Sequence, residues 1–344
     1  MAKPKPEIIV VGAGLIGQKH IEVAAGHGML AAIVDPNEDA RAIADRHETS
    51  WFSDLERCLA AKSPDGAILA TPNHLHEPGG IACLEAGVPV LIEKPLAEGV
   101  GASRNLVAAQ KRTATPILVG HHRRHSPIVQ HAKSLLEQGK LGRIVAVNGM
   151  FWLHKPVDYF KATWRTKAGA GPTFINLIHD IDLLQYFCGP ITRVQALEAN
   201  HVRGFEVEDT SAVILEFASG ALGTISISDT ISAPWSWELT AGENPAYPKT
   251  DQSCYTIGGT EGSLSVPDLS MWSHTGEQSW WSPIEQTEAK IANADPIQSQ
   301  FAHFLDVIAG TPPRVSAEDG LRNICVLEAI KLAAKTQKIQ DVEA

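Results

Sequence analysis

The segment VVGAGLIGQKH, residues 10–20, constrains the fold more than any other stretch of this chain. Gly12, Gly14 and Gly17 fit G-x-G-x-x-G. The apolar run IIVV precedes them and an amphipathic helical pattern follows. Glycines alone are common at strand-to-helix turns, so the context carries the weight. Gly12 permits a tight turn, Gly14 lets backbone approach a pyrophosphate, and Gly17 lets helix and strand pack closely. The helix N-terminus then offers amide donors and positive potential to phosphates. An acidic residue, Asp35, closes the next apolar run, where it can accept from both hydroxyls of an adenosine ribose. The expected ligand is a dinucleotide lying along Gly12, Gly14, Leu15 and Ile16. No arginine directly follows Asp35 in DPNED, which favours NAD over NADP, with Arg41 a turn away as the only nearby compensation for a 2′-phosphate.

Apolar runs at 8–14, 30–35, 66–71, 88–94 and 115–120 alternate with helical patterns, which predicts a parallel sheet covered by helices on both faces. Beyond about residue 142 the texture changes to longer alternating runs: 143–153, 194–202, 211–230, 235–242, 254–266 and 269–274. The turns ASGALG and GGTEGS mark hairpins, and the expectation is a mostly antiparallel sheet. Helical patterns cover 174–189, 296–310 and 316–337. The fold class is therefore α/β: a doubly wound parallel domain over 1–122, then an α+β domain over 123–344 with a large open sheet. The last helices, about 316–337, are expected to pack back at the domain junction.

Composition narrows the function classes. A net charge of -10 leaves no basic stripe for nucleic acid or an anionic membrane. GHHRRH at 120–125 is too short for a duplex footprint and suits a small anion or polar ligand. Five cysteines, far apart and without a C-x-x-C, read as buried thiols in a reducing compartment. With no signal-peptide pattern and no apolar stretch of about 18 residues, the expected location is the cytoplasm. His122 and His125 have H-x-x-H spacing but no third ligand nearby, so no metal is expected.

Two strand ends carry the candidate chemistry. ATPNHLHEP, 70–78, falls at a predicted strand's carboxyl end, where open α/β sheets bind ligands. Thr71, Pro72 and Asn73 expose backbone to a ribose or diphosphate, and His76 opens the following helix. VPVLIEK then places Glu93 and Lys94 at the next carboxyl edge, with Pro95 ending the ladder. An ammonium there can bind a substrate hydroxyl and relay its proton, its pKa lowered by desolvation beside a positive nicotinamide. Glu93 can accept from the nicotinamide ribose. In INLIHDID, Asn176, His179 and Asp182 share one helical stripe opposite Leu177, Ile178, Ile181 and Leu184. A neutral imidazole at His179 has the right pKa to take an alcohol proton.

These motifs, VVGAGLIG, ATPNHLHEP, EKP, GHHRRHSP, WR and GAGPTFINLIHDIDLL, occur in the order and spacing of the glucose–fructose oxidoreductase / inositol dehydrogenase / rhizopine-catabolism (Gfo/Idh/MocA) family, which nearly the whole chain resembles. The resemblance implies a Rossmann domain followed by a domain whose open sheet forms homodimers or homotetramers. It implies hydride transfer between a nicotinamide and a sugar- or polyol-like alcohol. Lys94 then binds substrate and relays a proton, the Lys94–Pro95 bond is cis, and His179 is the general base. His122 takes the place of a residue contacting the nicotinamide end. Trp164 and Arg165 lie on a loop that covers cofactor and substrate, with Tyr159 on the same loop. Many relatives carry an aspartate four residues before the histidine; this chain has Ile175, and Asn176 cannot replace it as a base.

The favoured reading is an NAD-dependent dehydrogenase for a small cyclic polyol or sugar, with Lys94 and His179 bracketing the carbinol. Arg123, Arg165 and Asn176 orient its other oxygens. A cis-dihydrodiol dehydrogenase acting on a carboxylated aromatic is the rival within enzymes, suggested by HHRRH and the extra tryptophans. Trp235, Trp237, Trp272, Trp280 and Trp281 are expected on the second sheet's face or a subunit interface. A non-catalytic NAD(H) sensor is the rival from another class, opposed by the retained Lys94 and His179.

Overall fold

The computed structural model describes residues 5–343 and divides into two compact units. The first runs through His125 and takes in Pro296–Ile324; the second is Ser126–Asp295 with the chain from Cys325 onward. The division falls inside the helix Ala317–Thr336.

In the first unit, strands β1 (Ile8–Val11), β2 (Leu30–Val34), β3 (Ser50–Phe52), β4 (Gly66–Leu69), β5 (Val90–Glu93) and β6 (Ile117–Gly120) form one sheet. Their order is β3-β2-β1-β4-β5-β6, and every pairing is parallel. β1, β4, β5 and β6 are buried along their whole length, as strands between two helix layers must be. That explains their unbroken apolar runs. Chain order reverses between β1 and β4, which opens a crevice at the strands' carboxyl ends. The sheet has six strands rather than the five expected. β3 was missed because Ser-Trp-Phe is three residues long and only half-buried.

In the second unit, β7 (Ile144–Trp152), β8 (Ile191–Ala199), β9 (Thr210–Phe217), β10 (Leu222–Ser228), β11 (Tyr255–Gly259), β12 (Gly262–Val266), β13 (Ser270–His274), β14 (Ile284–Glu288) and β15 (Gln340–Asp341) form a second sheet. Its order is β14-β13-β12-β11-β7-β10-β9-β8-β15. β7 pairs with β10 in parallel, and its other neighbour, β11, runs antiparallel. One face is core: Val213, Leu215 and Phe217 of β9, with Ile225 and Ile227 of β10, pack with Leu177, Ile181 and Leu184 of the helix Leu177–Cys188. Truncating one of these to alanine would cost about 2–5 kcal/mol.

Three expectations need correction here. WSWELTAG, 235–242, is not a strand. Ser236 caps a short helix, Trp237–Thr240, by accepting from Leu239 N, and the alternating W-S-W-E-L pattern imitated a pleat. β14 and β15 went unread because β14 is exposed throughout and β15 has two residues. The helix expected over 174–189 is two helices, Gly171–Ile175 and Leu177–Cys188, hinged at Asn176. The second is buried on every side from Leu177 to Leu184, so His179 and Asp182 are buried along with the apolar side of Leu177, Ile178, Ile181 and Leu184.

All five cysteines are buried and none is in a disulfide, and burial pushes the Cys83 and Cys188 thiols up to about 12. Among the described residues no helix is long and apolar enough to cross a membrane. No group of three His, Cys, Asp or Glu side chains among them is placed to hold a metal ion.

Candidate active site

The glycine loop stands where β1 hands over to the helix Leu15–Gly26. Gly12 has φ +96°, and a Cβ there would lie 2.5 Å from Ala70 O on the facing β4 turn. A Cβ on Gly17 would lie 2.0 Å from Gly12 O, so any side chain would pry helix from strand. Gly14, by contrast, faces open space, as a phosphate-approach position requires. Leu15 is 88% exposed at the start of the helix, and Ile16 beside it is half-buried.

Asp35 follows β2. Its Oδ2 accepts from Ala13 N at 2.8 Å and its Oδ1 from Asn37 N at 2.8 Å, which orients the carboxylate and leaves lone pairs on both oxygens. Arg41 is held elsewhere, its guanidinium 4.7 Å above the Trp51 ring, while the Trp51 indole donates to Asp35 O at 3.1 Å. A cleft of about 1040 Å³ is lined by Gly12, Gly14, Asp35, Thr71, Pro72 and Arg57, among others. Open backbone at Gly14, an oriented carboxylate and a cleft of this size fit a dinucleotide.

The turn after β4 and the turn after β5 are tied together by His76. Its Nδ1 lies 2.8 Å from Pro95 O and its Nε2 2.9 Å from Thr71 O. The ring is 1% exposed. Burial lowers its pKa, and the two carbonyls pull the other way. His76, a cofactor-site candidate by its place in the sequence, clamps Thr71 to the turn that carries Lys94. Thr71 is half-buried, while Pro72 and Asn73 are exposed.

Lys94 follows β5, half-buried, and the Lys94–Pro95 bond is cis. Glu93 is buried, its Oε1 2.8 Å from His20 Nε2 of the glycine-loop helix and its Oε2 accepting from Lys94 N at 3.2 Å. Burial opposes its charge, but the hydrogen bond and charge of His20, with His122 and Lys94, hold its pKa below the ordinary value. Glu93 thus braces the Lys94 turn from inside. His122 is partly exposed, yet desolvation outweighs Glu93, and the cations Arg123 and Lys94 add to it, taking the imidazole down to about 3. Arg123 and Arg124 are both buried, with Arg124 3.5 Å from Asp319.

The second unit gathers the remaining candidates. Tyr159 is half-buried, with the Arg165 guanidinium 4.0 Å over its ring and the Arg165 Nη1 donating to Tyr159 O at 2.6 Å. Trp164 is 58% exposed, 5.4 Å from the same guanidinium. Asn176 Oδ1 accepts from Lys155 Nζ at 2.7 Å, and the same ammonium lies 4.9 Å from the Tyr159 ring. Lys155 therefore joins Tyr159 and Asn176. Nothing local in FWLHKPVD marks it, because its partner is 21 residues away. His179 follows one turn after Asn176, its N donating to Asn176 O at 3.0 Å. Asp180 beside it takes the Tyr255 hydroxyl's hydrogen bond and locks the helix onto β11. Upstream, Glu208 Oε1 accepts from Thr173 N at 2.9 Å, and Lys331 Nζ reaches Glu208 at 2.7 Å and Glu198 at 2.8 Å.

A doubly wound parallel sheet with a glycine loop, a ribose-directed aspartate and a lysine at the adjoining strand end defines an NAD(P)-binding Rossmann domain. Comparison with known proteins agrees and specifies it. Residues 7–121 match the model described as "Oxidoreductase family, NAD-binding Rossmann fold". Residues 129–265 match the GFO/IDH/MocA C-terminal domain. The chain belongs to the Gfo/Idh/MocA family of oxidoreductases. It is 27% identical over 226 residues to inositol 2-dehydrogenase of Corynebacterium glutamicum, covering 62% of this chain and 64% of that one. The chain thus spans just under two thirds of that relative. It is 24% identical to the rhizopine catabolism protein MocA of Rhizobium meliloti over 330 residues, 93% of this chain and 92% of that. In structure it resembles the WlbA dehydrogenase of Bordetella pertussis in complex with NADH and UDP-GlcNAcA. The TM-score is 0.79 at 26% identity, over 99% of this chain and 100% of that one.

Proposed function

We propose that this protein is an NAD-dependent dehydrogenase of a secondary alcohol on a small cyclic polyol or sugar. The observation that carries the reading is Lys94, braced by Glu93 and His76 at the strand edge beside the glycine loop. Relatives named for inositol, and a structural neighbour holding a nucleotide sugar acid, support the substrate class. Asp35, with both carboxylate oxygens oriented and Arg41 stacked on Trp51, supports NAD over NADP.

NAD bound along Gly12, Gly14 and Asp35 would supply the hydride acceptor. Lys94 donates to the carbinol oxygen, which favours alkoxide character, and His179 takes its proton. Asn176 and Arg165 orient the other oxygens. The cytoplasm remains the proposed location.

We also propose a homodimer or homotetramer formed through the second sheet. Leu197, Ile214, Leu222 and Trp272 point outward and are 58%, 51%, 57% and 39% exposed. Light scattering of wild type and Ile214→Lys tests this: the assembly should fall to monomer, and a wild-type monomer would end the idea.

NADH formation across inositols, aldoses, sugar acids and cis-dihydrodiols tests the activity. Turnover of a cyclic polyol or sugar supports it. Activity confined to dihydrodiols would replace the substrate class, and tight NADH binding with no turnover at all would point to a sensor.

A further inference from the structure

We infer that His20, on the glycine-loop helix, is a positioning residue that acts through Glu93 to fix the turn carrying Lys94. This rests on the alcohol-dehydrogenase reading, in which Lys94 is an acid–base group, and adds a residue set behind it.

The helix Leu15–Gly26 turns Gly17, His20, Ile21 and Ala24 to one buried face, as residues three, four and seven apart must be. Gly17 is pressed against Gly12 O, and one turn further on His20 meets the carboxyl end of β5. The ring is 1% exposed and Glu93 6%. His20 Nε2 lies 2.8 Å from Glu93 Oε1, while Oε2 accepts from Lys94 N at 3.2 Å. Gly120, which pairs with Glu93 across β5 and β6, closes a third side. A Cβ there would lie 2.8 Å from Glu93 Cα and 3.0 Å from Oε2. One carboxylate thus spans from the glycine-loop helix to the Lys94 peptide. Without His20, Oε1 loses its anchor and Oε2 is free to swing off the Lys94 N–H. The other ring nitrogen, Nδ1, is buried without a hydrogen-bond partner among the described residues, so the ring's hydrogen bonding there is directed at Glu93.

Stability gives no reason for such a pair. Packed apolar side chains of like volume replace a buried ionisable pair at little or no loss, whereas removing one partner strands the other. What the pair supplies is an ionised carboxylate behind Lys94. Burial is the largest influence on Glu93 and opposes its charge. The His20 hydrogen bond comes next, and with the charges of His20, His122 and Lys94 it holds the pKa below the ordinary value. The groups facing Glu93 are His20 from the helix, Lys94 from its own turn, His122 from the chain beyond β6 and His76 from the neighbouring helix. His122 is itself brought down to about 3, chiefly by burial.

Carboxyl carbon-13 NMR of glutamate-labelled apoprotein, with Glu93 assigned through Glu93→Gln, reads the first link. The Glu93 pKa should rise by about one unit or more in His20→Leu, and by less in His20→Gln, whose amide nitrogen can stand where Nε2 stands. Pre-steady-state NADH formation reads the second link, with myo-inositol or glucose, whichever the wild type oxidises faster. His20→Leu should slow hydride transfer by about tenfold or more and carry the acid limb of its pH profile upward with Glu93. His20→Gln should recover most of the rate. In a Glu93→Ala background, His20→Leu should cost less than about twofold, because the two side chains act as one. Should His20→Leu fail to fold, His20→Asn, whose nitrogen stops short of Glu93, replaces it. A merely structural role would lower the unfolding midpoint and leave both pH readouts in place. That result, or a full effect of His20→Leu in the Glu93→Ala background, overturns the inference while the dehydrogenase reading stands. No oxidation of any polyol or sugar by the wild type would remove the reading, and the role of His20 with it.

Discussion

The two units hold their candidate residues in different ways. In the first, the work is done by backbone at the carboxyl ends of parallel strands, and each contributing residue sits in a short contiguous motif. Gly12, Gly14 and Gly17 act through what they lack, and Thr71 and Lys94 each lie on the turn that follows their strand. In the second, side chains are fixed by partners far along the sequence: Lys155 by Asn176, Thr173 by Glu208, and Glu208 by Lys331. A parallel sheet converts sequence order into site geometry, whereas a mixed sheet assembles its site from pairs. The first unit should therefore govern cofactor affinity, and the second should govern substrate parameters.

The sharpest way to break that division is at the glycine loop. Gly17→Val puts methyl groups where even a Cβ is 2.0 Å from Gly12 O. NADH affinity, read by fluorescence, should fall by about 100-fold or more, the cost of reopening helix–strand packing. Retained affinity would show that the loop tolerates a side chain after all.

Next in size is the distal support of the His179 helix. Lys331→Met strands two carboxylates, one of them the buried Glu208. Stability should drop by about 3 kcal/mol by denaturant unfolding, with turnover lowered and NADH affinity kept. A loss of NADH affinity would contradict the division between units.

Asp35→Ser removes the charge that repels a 2′-phosphate and leaves Arg41 nearby. The ratio of NAD to NADP use should shift by about tenfold towards NADP. An unchanged ratio would move cofactor selection elsewhere in the cleft.

The smallest effect is a pH dependence. Lys155 has its pKa lowered from 10.5 to about 8, so between those values the unfolded chain binds the proton and the folded one does not. Folding stability from this group therefore rises with pH through that window and is diminished below it. Denaturant unfolding across pH 8 to 10.5 checks this, and Lys155→Met should flatten the rise. The groups facing this amine are Asn176, Tyr159, Asp229 and Arg203, with Glu238 and Glu208 further off.

The same contrast explains what could be read from sequence. The parallel sheet, the glycine loop, Asp35 and Lys94 were legible because propensity, turn chemistry and spacing agree locally. His76 was legible as a residue of note but not in its role, since its two carbonyl partners lie on different turns. β3 and the helix Trp237–Thr240 were missed because three residues carry no period and because alternating tryptophans imitate a strand. Lys155 had no local signature at all. The arginines of HHRRH suggested an anionic ligand, but Arg123 and Arg124 are buried in the first unit.

We propose that Lys94 and His179 carry the acid–base chemistry while the first unit supplies most of the hold on the cofactor. Pre-steady-state NADH formation by Lys94→Ala and His179→Ala, beside their NADH dissociation constants, tests it most directly. Each variant should lose about 100-fold or more in the rate of hydride transfer with cofactor affinity within about twofold of wild type. Unimpaired hydride transfer in either variant would contradict the account.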